Sequence, residues 1–210
     1  MLTAAIHGFL LALGLILPLG PQNVFIFNQG ASQARFARAL PAIIAAGLCD
    51  TLLILLAVWG VSVIIFDNQE IKLILYLAGI CFLMYMGAAS WRTRPAVPGT
   101  AAGGAMSAKK QMAFAASVSL LNPHALLDTV GVVGTSSLGY AGYEKAAFTI
   151  VCAAVSWLWF IGLGVAGKSA VKLDSSGRMR TGINRISALM MWGTAVYLGC
   201  VLLAERSGTA

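Results

Sequence analysis

The sequence predicts an all-α membrane protein of six transmembrane helices, built as two inverted three-helix repeats with broken first helices and both termini outside. Three observations predict it. Six apolar runs, each about 20 residues or longer and so able to cross a bilayer, divide the chain. Lysine and arginine crowd into every second connection between those runs. The first run of each half carries a proline flanked by polar residues. The composition agrees: of 210 residues, 59% are hydrophobic and only 10% charged, where a soluble domain has about 25% charged. Mean hydropathy is +0.85.

The runs fall at roughly 4–27, 41–66, 71–90, 112–134, 147–167 and 184–204. Each is expected to be a helix, because a backbone exposed to lipid must satisfy its own hydrogen bonds. The first is too long for a signal peptide's apolar core, and no basic residue precedes Arg35, so it is expected to remain as a span. Its small residues Ala4, Gly8 and Ala12 recur every four positions, a spacing that lets helices approach closely.

The basic residues orient the spans. Arg35 and Arg38 lie between the first and second, and Arg92, Arg94, Lys109 and Lys110 between the third and fourth. Lys168, Lys172, Arg178, Arg180 and Arg185 lie around the connection between the fifth and sixth. The other two connections hold only Lys72 and Lys145. The positive-inside rule then puts the first, third and fifth connections in the cytoplasm. A five-span reading would need one run, most readily the first, to be re-entrant. Tyr140, Tyr143 and Trp91 fit the aromatic belts of the two interfaces, and His7 an interfacial place. The four cysteines, Cys49, Cys81, Cys152 and Cys200, lie inside apolar runs without metal-ligand or disulfide spacing. The net charge of +7 comes from scattered residues with no aromatic-interleaved basic patch, which argues against nucleic acid as a partner.

The segment Arg92–Lys110, rich in glycine and proline, reads as a cytoplasmic linker. It divides a single transporter domain (1–210) into one repeat at about 1–91 and another at about 111–210. Lys168–Arg180 reads as a second basic loop, chiefly an orientation signal. Three spans per half make the halves enter the membrane in opposite senses, as in inverted-repeat carriers. Each half has one conspicuous break, LPLGPQN at 17–23 and LNPHALLD at 121–128. Proline removes a backbone donor and clashes with the preceding turn. Paired breaks of this kind point to a binding site at the membrane midplane. Gly20, Pro21 and Pro123 make the breaks, with Gln22, Asn23, Asn122 and His124 beside them.

Asp50 and Asp128 are deep inside apolar stretches. A carboxylate there costs about 2.5–3.5 kcal/mol on insertion scales and is expected to face a polar cavity. The pair points to transport of something polar and cationic. Trp59, Trp157 and Trp159 are expected to pack or to meet lipid rather than shape that cavity.

LGPQNVF at 19–25 and LNPHALLDT at 121–129, with an acid in the second span, resemble the LysE family of basic amino-acid exporters. The similarity extends over the whole chain. It implies export of L-lysine, L-arginine or both from the bacterial cytoplasm by a secondary carrier of the inner membrane, acting as a homo-oligomer, a dimer first among the choices. It also implies that Gly20, Pro21, Gln22, Asn23, Asp50, Asn122, Pro123, His124 and Asp128 line or shape the path. On this reading Asp50 and Asp128 pair with the substrate's cationic groups. Gln22, Asn23 and Asn122 supply neutral hydrogen bonds, and freed amides meet the carboxylate. No nucleotide-binding signature or cofactor motif is present, so inward proton movement is the expected energy source, with Asp50 or Asp128 as carrier ahead of His124. The alternatives are a neutral amino-acid or cation exporter, an intramembrane enzyme, or a subunit without transport activity.

Overall fold

The computed structural model describes residues 1–18, 20–60, 69–92, 106–120, 125–126, 128–173 and 178–207. All regular structure among them is helical: α1 (Leu2–Ile16), α2 (Pro21–Ser32), a 3₁₀ turn (Phe36–Arg38), α3 (Leu40–Val58), α4 (Gln69–Arg92), α5 (Ala108–Leu120), a π-helical segment (Asp128–Gly134), the single turn α6 (Thr135–Ser137), α7 (Gly142–Leu173) and α8 (Arg178–Ser207). By length and composition α3 and α7 can each cross a membrane, and α1 with α2 makes a third candidate, bent by 79°.

The boundaries follow local chemistry. Gly60, with φ +79°, ends the turn after α3 in a conformation that other residues disfavour; the expected continuation of that span to residue 66 falls at 61–68, outside the described residues. The basic segment 168–180, read from sequence as a loop, is instead mostly helix, since α7 runs to Leu173 and α8 starts at Arg178. Charged residues end the apolar stretch there without ending the helix, because a backbone beyond the hydrocarbon needs no further apolar side chains to stay helical.

Helix faces sort by solvent. On α3, Ile44, Leu48, Leu52 and Leu56 are exposed at every fourth position, a stripe suited to lipid. Asp50 is two residues from Leu48 and Leu52, about 200° around the helix, and so turns inward. The polar helix α2 is buried on nearly every side: of its 12 residues only Asn28 and Ser32 are not buried. Protein, not lipid, surrounds it.

Helix pairing crosses the two halves of the sequence. α1 and α2 pack on α7, α5 and the π segment pack on α3, and α4 packs on α8. The small row of α1 is buried as its spacing predicts, with Gly8 against the Phe148 backbone and the Cys152 sulfur. The α2–α7 contact is tighter still. A β-carbon on Gly30 would stand 2.1 Å from the Gly164 carbonyl oxygen, and one on Gly167 would stand 2.1 Å from that of Phe27.

The ends of the bundle differ in charge. At one, Lys168 Nζ donates to the Gln33 and Ala34 carbonyls at 2.7 and 2.9 Å, and Gln111 Nε2 donates to the Arg38 carbonyl at 3.0 Å. These bonds gather three basic segments. At the other, the Met1 ammonium meets Glu144 at 2.7 Å and His7 Nδ1 lies 2.8 Å from the Tyr140 hydroxyl. His7 and Tyr140 thus join α1 to the start of α7. Trp59 is 73% exposed.

Because backbone atoms oppose any added β-carbon, Gly30→Ala and Gly167→Ala should each destabilise the purified protein by about 1–3 kcal/mol. Gly162, with nothing within 4 Å of its β-carbon position, should accept alanine without loss. Thermal unfolding in detergent checks this; equal melting of all three variants would contradict the α2–α7 contact.

Candidate functional site

The site begins at the break between α1 and α2. Pro18 and Pro21 bracket it. Leu17 N–H still donates to the Leu13 carbonyl at 3.1 Å, the last bond of α1. Gly20 is extended, φ −71° and ψ 176°, and Pro21 starts α2 at its first helical position, where its missing N–H costs no hydrogen bond. A break leaves carbonyls on one side and amides on the other without helical partners.

The two sides are treated differently. Asn23 Nδ2 donates to the Ile16 carbonyl at 2.7 Å and to the Pro18 carbonyl at 2.8 Å. Gly20 N–H also donates to Pro18, at 2.7 Å. Two carbonyls freed by the break, those of Ile16 and Pro18, are therefore satisfied from within. Among the described residues no side chain caps the amide side, and the first regular bond of α2 is Val24 N–H to the Gly20 carbonyl, 3.2 Å. The first turn of α2 keeps its amides and the positive end of its dipole for something else.

That end borders a cavity of about 150 Å³. α1, α2, α3, α4, α7 and α8 all contribute to its wall, as does the π segment. Gly20, Pro21, Gln22 and Asn23 come from the break, Asp50 from the middle of α3, and Thr129 from the π segment. Ser156 of α7 and Thr194 of α8 add hydroxyls. Apolar residues, among them Ile16, Leu83, Phe160 and Met191, complete it.

Asp50 is the charge in this wall. Gln22 Nε2 donates to its Oδ1 at 3.2 Å, and the Ser156 hydroxyl also borders the carboxylate. Among the described residues, no lysine, arginine or histidine forms an ion pair with Asp50. An anion at membrane depth with neutral neighbours is a receptor for a cation. An uncapped helix start nearby is a receptor for a carboxylate. Together they suit a zwitterion.

Of the residues singled out from sequence, Gly20, Pro21, Gln22, Asn23 and Asp50 meet in this one cavity. Asn23 has its amide hydrogens committed to the Ile16 and Pro18 carbonyls, which makes it the staple of the break. Asn122, Pro123 and His124 lie outside the described residues. Asp128 opens the π segment, whose next residue, Thr129, lines the cavity; π-helical turns recur at functional sites. Trp157 does not line the cavity: its Nε1 donates to Thr51 Oγ1 at 3.1 Å, and its ring lies over Gly47. Ser156, Thr129 and Thr194 were not anticipated. Their only sequence signal is a hydroxyl in an apolar run, and helix hydroxyls usually bond the preceding turn, as Thr149, Ser187 and others here do.

A family model described as LysE type translocator matches residues 13–201. The chain belongs to the LysE family. It is an amino-acid transporter of the bacterial inner membrane, not an enzyme. Its relatives cover nearly its whole length. The Bacillus subtilis (strain 168) protein named "Putative amino-acid transporter YisU" is 53% identical over 204 residues, covering 97% of this chain and 92% of the relative. The arginine exporter protein ArgO of Pectobacterium carotovorum subsp. carotovorum (strain PC1) is 29% identical over 201 residues, 94% of this chain and 97% of the relative. That of Salmonella paratyphi A is 31% identical over 213 residues, 94% of each chain. No solved structure matches this LysE-family chain.

Losing the Asn23 amide would orphan the Ile16 carbonyl in a membrane-depth break and leave the Pro18 carbonyl with the Gly20 N–H alone. Asn23→Leu should therefore destabilise this transporter by about 1–3 kcal/mol per unsatisfied group, and Asn23→Asp should not rescue it, since an ionised carboxylate cannot donate. Gln22→Leu should melt near the wild type. Melting temperatures of the purified variants check this; an undisturbed Asn23→Leu protein would remove the staple.

Proposed function

We propose that this LysE-family transporter exports basic L-amino acids, L-arginine or L-lysine, in exchange for protons. The observation that carries the reading is the Asp50 carboxylate, neutralised by no described cationic side chain and set in a cavity beside the uncapped start of α2. A basic amino acid brings an α-carboxylate, an α-ammonium and a side-chain cation. The carboxylate goes to the α2 amides and a cation to Asp50. Gln22 holds the Asp50 carboxylate in place, and Thr129, Ser156 and Thr194 offer hydroxyls. Asp128 is the second carboxylate of the reading, with Asn122 and His124 as further polar groups at the second break. The arginine exporter relatives support this class of substrate.

Six spans in two inverted repeats, with both termini outside, are part of the same reading. Support comes from the helix pairing. The first span packs on the fifth as the fourth packs on the second, while third meets sixth and second meets fifth. A two-fold relation exchanging the halves produces that pattern. The collection of Arg38, Lys168 and the start of α5 at one end supports the cytoplasmic assignment of that end.

Membrane potential, negative inside, opposes loss of a cation by about 2.3 kcal/mol per charge per 100 mV. Returning protons offset that cost. Asp50 and Asp128 are the groups that take the proton on the return step, and a homodimer is the assembly of the proposal.

Asp50→Asn removes the charge and keeps the shape. A charge-assisted hydrogen bond contributes about 1.5–3 kcal/mol, so export of labelled arginine or lysine from loaded proteoliposomes should fall at least ten-fold, and Asp128→Asn should impair it as well. Wild-type rates in both variants would refute the assignment. An imposed gradient, acid on the outer face, should accelerate efflux in the wild type; efflux indifferent to pH would eliminate proton exchange.

A further inference from the structure

A second polar cluster, outside the cavity, occupies the basic end of the bundle. Gln22, Gln29 and Gln33 are spaced by seven and four residues, which places them on one face of α2 and its C-terminal extension. Gln22 reaches Asp50. Gln29 and Gln33, 6% and 2% exposed, are buried about 10 and 16 Å further along the helix axis. Between the two levels lies an apolar layer that includes Phe25, Ile26, Ile43 and Phe160. Phe160 also lines the cavity, so this layer separates the cavity from the basic end.

The deeper glutamines converge on one point of the chain. Gln33 Nε2 donates to the Met106 carbonyl at 3.2 Å and to Gln29 Oε1 at 3.3 Å. Gln29 Nε2 lies 3.4 Å from the Met106 sulfur. Gln111 of α5 donates to the Met106 carbonyl at 2.9 Å and to the Arg38 carbonyl at 3.0 Å. Both partners of Gln111 Nε2 are acceptors only, so the amide orientation is fixed and turning it over would set oxygen against oxygen. Its Oε1 then stands buried with no hydrogen-bond partner among the described residues, on a side chain 1% exposed. A buried acceptor left open is unusual in a settled core. It is understandable where a donor comes and goes.

We propose that Gln29, Gln33 and Gln111 form the gate at the basic, cytoplasmic end of the transport path, and that Gln111 Oε1 is the acceptor that first meets the substrate's cation. The proposal rests on the basic amino-acid reading for the second clause only. In the closed gate the three amides clasp the Met106 segment to α2 and α5. Opening parts α5 and Met106 from α2. α2 itself stays with α7, because Gly30 and Gly167 contact α7 and its partner helix through backbone and Lys168 holds the Gln33 and Ala34 carbonyls. A neutral amide clasp suits this place, since a fixed carboxylate would retain the cation and a fixed ammonium would repel it.

The test uses Thr129→Cys, on the cavity wall, in a full-length chain whose native cysteines are alanine. A membrane-impermeant thiol reagent is applied from the basic face of proteoliposomes. Adding Gln33→Met or Gln111→Met should speed labelling at least five-fold; unchanged labelling in both overturns the gate. Should either variant fail to fold, Gln33→Cys with Gln111→Cys gives the same decision. Oxidative cross-linking of that pair should stop transport and reduction restore it, and transport that continues through the cross-link overturns the gate. For the contact itself, Gln111→Met should raise the KM for arginine or lysine on that face about ten-fold with kcat maintained; an unchanged KM overturns Gln111 as the cation's acceptor. A wild type that moves neither amino acid refutes the functional reading, while the labelling rates still decide the gate.

Discussion

The structure turns on how a broken helix is kept inside a membrane. Backbone groups released in hydrocarbon must find partners or open onto water. At the first break one side chain, Asn23, answers two of the freed carbonyls, those of Ile16 and Pro18. The amide half has no side-chain cap among the described residues and stands on the cavity wall beside Asp50. Had both halves been capped, the cavity would hold a carboxylate and no complementary receptor for an anion. The asymmetry creates a site with a negative group and a positive helix end within one small chamber.

Burial of α2 makes that arrangement tenable. A helix carrying Gln22, Asn23 and Gln29 cannot face lipid, and here α7 shields it through near-contact of backbones at Gly30 and Gly167. Cross-pairing of the two sequence halves does the same for α3, which is enclosed by α5, α7 and the π segment on its inner face and keeps its leucine stripe for lipid. Position in the membrane, not mere polarity, gives each of these residues its role. Asp50 and Glu144 are both acids. One meets the N-terminal ammonium at the exposed end of the bundle, whereas the other faces a cavity among neutral groups.

Much of this was legible in the sequence, because the bilayer imposes simple rules. Apolar run length located the helices, Pro21 located the first break, and an acid inside an apolar run singled out Asp50. The small row Ala4, Gly8 and Ala12 announced a close helix approach, though not that α7 would be the partner. Other features were not legible, for physical reasons. Asn23 looked like a substrate ligand, since nothing local reveals that its amide folds back across the break. The three glutamines sit 4 and 78 residues apart in sequence (Gln29 to Gln33 to Gln111) and meet only through tertiary packing. The extent of α7 and α8 past the apolar runs was missed because hydropathy measures lipid compatibility, whereas a helix continues as long as its own hydrogen bonds do.

The central claim is that Asp50 and the open start of α2 hold the two charged ends of one basic amino acid. The most direct measurement is an experimental structure of the purified protein with arginine or lysine bound. The account predicts the substrate's cation within hydrogen-bond distance of the Asp50 carboxylate and its α-carboxylate against the first-turn amides of α2. A substrate lodged elsewhere, or an Asp50 carboxylate neutralised by a lysine or arginine of the protein while substrate is bound, would contradict it.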